Sequence, residues 1–86
     1  MSTPLQQGIV RYLNRSRQRV AVSTDAAYSV FVVVAGPWPK RGALVQGELT
    51  RMGHSTLRLY GVDTGTLEVH VEAAGISGRR ALELTR

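Results

Sequence analysis

The 86-residue sequence contains no cysteine, only five aromatic residues and only six acidic ones. The missing cysteine excludes a disulfide framework, a thiolate zinc site and a cysteine nucleophile, and it fits a reducing, cytoplasmic setting. Long apolar runs are also missing. The longest, Val30 to Gly36, falls well short of the roughly 20 residues a membrane helix needs. The first 20 residues lack the apolar stretch of a signal peptide, so neither a membrane segment nor an export signal is expected. No Gly-Lys-Ser/Thr phosphate loop, dinucleotide glycine fingerprint or nucleophile elbow occurs, and neither an enzyme nor a cofactor is expected. At 9.4 kDa there is room for one domain, read as 1–86.

What is present is positive charge, unevenly spread. Residues 1–60 hold eight basic groups (Arg11, Arg15, Arg17, Arg19, Lys40, Arg41, Arg51 and Arg58) against Asp25 and Glu48. Residues 61–86 hold Arg79, Arg80 and Arg86 against Asp63, Glu68, Glu72 and Glu83. The front is therefore strongly cationic and the tail nearly neutral, within a net charge of +5. Ten of the eleven cations are arginine, whose planar fork matches phosphate oxygens and stacks on bases. That bias points to a polyanionic partner.

Hydrophobic periodicity is two almost throughout, which means strands. Ile9 to Leu13 and Arg19 to Ser23 read as a hairpin joined by the polar segment 14–18. A turn at 24–27 leads to the valine-rich Tyr28 to Ala35. Two prolines and two glycines then interrupt the ladder at 36–42. Leu44 to Met52 and Thr56 to Tyr60 follow, with Gly53-His54-Ser55 as a tight turn between them. Leu67 to Glu72 alternates most regularly, with Leu67, Val69 and Val71 on one face and Glu68, His70 and Glu72 on the other. For 77–84 a short helix capped by Ser77 is slightly preferred over a further strand. The fold class expected is all-β. It is a small five- to six-stranded antiparallel OB-like barrel with a short C-terminal helix, its main competitor being an open meander.

The segments Gly8-Ile9-Val10-Arg11-Tyr12-Leu13-Asn14, Arg17-Gln18-Arg19-Val20-Ala21-Val22 and Val30-Phe31-Val32-Val33 resemble the front half of a cold-shock domain. That family opens with Gly-x-Val-Lys-Trp-Phe-Asn, followed by Lys-Gly-Phe-Gly-Phe-Ile and Val-Phe-Val-His. The resemblance implies an oligonucleotide-binding barrel over 1–60, with 61–86 as an extension packed on it. It also implies that Tyr12 and Phe31 stack on bases while Arg11 and Arg17 meet phosphates. Arg19 and Ala21 depart from the pattern at two aromatic positions, and Val33 replaces a histidine. Lost stacking at two positions would cost about 2–6 kcal/mol of binding, at about 1–3 kcal/mol per base.

The candidate nucleic-acid-binding set is therefore Arg11, Tyr12, Arg15, Arg17, Arg19 and Phe31, joined by Trp38, Lys40 and Arg41 on the loop after the third strand. Trp38 has two readings, a ligand-facing aromatic and a plug for one end of the barrel. His54, Ser55 and Asp63 do not make a triad, because adjacent strand residues point to opposite faces. Glu68, His70 and Glu72 do not make a metal site, because alternate residues on one strand lie about 6–7 Å apart. Two functions remain. The first is weak, sequence-tolerant binding of single-stranded RNA or DNA. The second is a protein-interaction module that has lost nucleic-acid binding, with 61–86 forming a homodimer by strand addition at Leu67 to Glu72.

Overall fold

The computed structural model describes residues 6–25, 27–61 and 64–86. Six strands are followed by one helix: β1 (Gln6–Asn14), β2 (Arg19–Ser23), β3 (Tyr28–Ala35), β4 (Leu44–Gly47), β5 (Gly53–Tyr60), β6 (Gly65–Ile76) and α1 (Gly78–Thr85). All strand pairs are antiparallel, and the order β1-β2-β3-β6-β5-β4 closes into a barrel. Two three-stranded meanders thus face each other, linked by residues 36–43. The all-β barrel is as expected from the alternation, and the short C-terminal helix as expected from the Ser77 cap.

The barrel interior holds Val10, Val20, Val22, Phe31, Val33, Val45, Leu49, Leu57, Leu59, Leu67, Val69 and Val71. The predicted inward set Leu67, Val69 and Val71 is buried, while Glu68, His70 and Glu72 are exposed. Trp38, half-buried, packs against this core together with Leu13 and Ala43, which is the plug reading of that residue. Two glycines are set by close approach. At Gly36, where φ is 107°, a Cβ would lie 2.5 Å from the Thr66 carbonyl oxygen; at Gly47 it would lie 2.5 Å from Leu57 Cδ2.

Three expectations need correction. β4 stops at Gly47 instead of running to Met52, and Gly53–Ser55 belong to β5, where they pair with Val71, His70 and Val69. The chain reverses at 48–52 instead; there Leu49 is buried and Ser55 Oγ donates to the Glu48 carbonyl at 3.3 Å. Second, residues 65–76 are not packed on a barrel complete at residue 60. β6 is a stave between β3 and β5, and without it those two strands have no mutual pairing. Third, β3 pairs with β6 from Glu68 onward and β5 pairs with it up to Val71, so the centre of Leu67 to Glu72 is flanked on both edges and offers no free edge for strand addition. Ala26, within the predicted 24–27 turn, and Asp63 lie outside the described residues; Thr24 N–H still donates to the Ala27 carbonyl at 2.8 Å.

The helix follows from local chemistry. Ser77 is extended and its Oγ accepts from the Arg80 amide at 3.2 Å, satisfying one of the open donors of the first turn. Ala81 and Thr85 are buried one turn apart, with Leu82 and Leu84 half-buried, while Arg79, Arg80 and Glu83 stay in water. Thr85 Oγ1 donates to the Ala81 carbonyl at 2.6 Å, which lets a polar side chain be buried.

A candidate nucleic-acid interface

A row of side chains crosses the outer wall of the barrel. Tyr12 is paired with Ala21, Ala21 with Val30, and Val30 with Ala73. Directly opposite residues in antiparallel strands share a face, and in the cold-shock pattern this outer face would meet bases. Here it is the floor on which α1 sits. Ala21, Val30 and Ala81 form a second buried cluster, flanked by Tyr12, Tyr28, Ala73, Ile76 and Leu84. The small side chain of Ala21, read from sequence as a lost stacking group, admits the helix; a phenylalanine there would hold it off. Tyr12 is half-buried and its ring stacks on Tyr28, with centroids 6.1 Å apart and planes 12° from parallel.

Phe31 does not belong to the interface. It is fully buried in the barrel between its ladder partners Val20 and Val71, and no ligand can stack on it. The physical reason is strand parity: Phe31 alternates with Val30, which faces the helix. Nor is Arg19 a loose cation. Its Nε pairs with Glu72 Oε1 at 3.2 Å and one Nη donates to the Leu84 carbonyl at 3.0 Å, tying β2 to β6 and to the end of α1. Arg11 is exposed, with its Nε donating to Ser23 Oγ at 3.0 Å.

Four of the remaining cations, Arg15, Arg17, Arg41 and Arg86, gather at one end. Asn14 ends β1, and its Oδ1 accepts from Ser16 Oγ at 2.8 Å and from the Arg17 amide at 3.2 Å. Those bonds hold the turn that displays Arg15 and Arg17, both exposed. The loop after β3 is laid along the same strand: Gly42 N–H donates to the Val10 carbonyl and Val10 N–H to the Ala43 carbonyl, at 2.8 and 2.9 Å. Arg41 thereby reaches the C-terminal end of α1. Tyr12, Leu13, Asn14, Arg41, Leu82, Thr85 and Arg86 together line a pocket of about 300 Å³.

Among the described residues, ion pairs join Arg19 to Glu72, Arg51 to Glu48 and Arg80 to Glu83, and none involves Arg15, Arg17, Arg41 or Arg86. Four guanidinium groups with no carboxylate partner among the described residues make this end a region of positive potential. The negative end of the helix is partly quenched by bonds to its last carbonyls: Arg86 N–H to Leu82 at 3.2 Å, and Arg19 to Leu84. Of the expected site residues, the structure brings Tyr12 and Arg41 together, with Arg15 and Arg17 on the adjoining turn. Asn14 and Arg86 were missed. Asn14 carried a readable signal, since asparagine before a polar turn commonly bonds the backbone two or three residues on. Arg86 carried none until the helix was docked. Comparison of the chain with protein-family models, with curated proteins and with solved structures finds no significant match.

Proposed function

We propose that this protein binds single-stranded nucleic acid, RNA or DNA, weakly and with little sequence preference, through its cationic end. The observation that carries the reading is the meeting of Arg41 and Arg86, 45 positions apart in sequence, at a pocket lined by Tyr12 and Asn14 beside the Arg15–Arg17 turn. Arginine forks engage phosphate oxygens in pairs, and exchange of condensed counterions for these groups supplies the affinity. Sequence readout is slight, because the wall that would stack successive bases lies under α1. The pocket offers one amphipathic ring and one amide for a single sugar or base edge. The protein acts as a binding module of the cytoplasm, without catalysis.

Fluorescence anisotropy of a labelled 12-nucleotide strand, titrated at 50 and 200 mM salt, tests this. Binding at low salt that falls with a log–log slope of about 0.7 per phosphate contacted is the expected result. Absence of binding at 50 mM rejects it.

The covered β1–β3 wall favours a second reading, a protein-interaction module. It would engage a partner through exposed side chains such as Val34 and Met52, both more than half exposed. Retention of a monomer at all concentrations and binding of the oligonucleotide argue for the first reading; a self-association that ignores the oligonucleotide argues for the second. A homodimer through 61–86 would then have to use side-chain faces.

A further inference from the structure

The outer wall of β5 and β6 is uncovered, and on it His54 stands directly opposite His70 in the ladder. Both are exposed, and neither makes a hydrogen bond or ion pair with any described residue. Along one strand, alternate residues lie about 6–7 Å apart, too far to share an ion. Across an antiparallel pair the geometry differs: directly opposite residues put their Cβ atoms about 4.5–5.5 Å apart on one face. Two imidazoles that start this close can converge on one ion about 2.0–2.1 Å from each nitrogen.

We propose that His54 and His70 form a two-imidazole chelate for a late first-row divalent cation, of the class Ni²⁺, Cu²⁺ or Zn²⁺. Among the described residues no group of three or more His, Cys, Asp or Glu side chains converges, so water completes the coordination shell. The surroundings suit a cation. Glu68 and Glu72 flank His70 on its own strand face, Thr56 follows His54, and Val32 of β3 lies opposite His70. Of the positive groups near the two histidines, Arg19, opposite Val32, is neutralised by Glu72, and Arg58 stands beyond Thr56, opposite Thr66. Glu68 has no ion pair among the described residues and is placed to accept from a metal-bound water. Imidazole nitrogen selects this class of metal over Mg²⁺, which prefers oxygen ligands.

Calorimetric titration of untagged protein with NiCl2 and, separately, MgCl2 tests the site. Expected are saturable Ni²⁺ binding and no Mg²⁺ binding. A rise in thermal midpoint of at least about 10 °C is expected at a hundredfold excess of Ni²⁺ over its dissociation constant. His54→Ala and His70→Ala, each on the protein surface, should each lower Ni²⁺ affinity at least tenfold while unfolding at the wild-type temperature without metal. Wild-type protein that takes up no Ni²⁺, or variants that bind it as well as wild type, overturns the proposal.

Discussion

The two outer walls of this barrel are built on the same ladder yet meet opposite fates. The β1–β3 wall presents Tyr12, Ala21, Val30 and Tyr28 and is roofed by α1; the β5–β6 wall presents His54, Thr56, Arg58, Thr66, Glu68 and His70 and stays wet. What separates them is side-chain size as much as polarity. Two alanines, Ala21 and Ala73, flank Val30 along one row and let a helix backbone approach, with Ala81 supplying the matching small contact. On the other wall arginine, glutamate and histidine alternate, and these long polar side chains remain exposed to water. A nucleic-acid-binding barrel could keep the first wall bare and aromatic. This chain has closed it and left four of its arginines, Arg15, Arg17, Arg41 and Arg86, near the rim.

That contrast can be broken or sharpened by substitution. The largest effect should come from the interior both walls share: Phe31→Ala should lower unfolding free energy by about 3–5 kcal/mol in urea titration, as loss of a buried ring does. Next, Ala81→Glu places a charge between helix and wall. A loss of about 2–3 kcal/mol is expected, accompanied by loss of the near-ultraviolet dichroism of the Tyr12–Tyr28 pair. Removing the cap with Ser77→Ala should cost about 1 kcal/mol in the same titration. On the bare wall, Thr56→Val keeps the β-branch and should stay within about 0.5 kcal/mol of wild type. An equal loss from Ala81→Glu and Thr56→Val would mean that the two walls do not differ as described.

The fold was largely readable because period-two alternation is a direct consequence of one wet and one buried face. It was most readable in β6, where Leu67, Val69 and Val71 alternate with charged or ionisable residues. It is least readable in β3, whose Val30-Phe31-Val32-Val33 run is buried on both faces for much of its length, so parity leaves no trace and only the resemblance points Phe31 outward. Ala21 shows why a resemblance misleads locally: a missing aromatic looks like lost function when only the strand is seen, and like a helix seat once α1 is in place. The turn at 48–52 was hidden because Leu49 continues the apolar alternation of β4 although Gly47 has already ended the strand. The pocket rim was half legible. Arg15, Arg17 and Arg41 announced themselves by charge, but Arg86 depends on the packing angle of α1, and His54 opposite His70 depends on ladder register. Neither is a local property of sequence.

The cationic end is tested most directly by measuring the salt dependence of oligonucleotide affinity for wild type and for a double variant carrying Arg41→Ala and Arg86→Ala. If phosphates are held there, the double variant should bind more weakly, and its log–log salt slope should be smaller by about 1.4, or about 0.7 for each cation removed. An unchanged affinity and slope in a folded double variant would contradict the assignment.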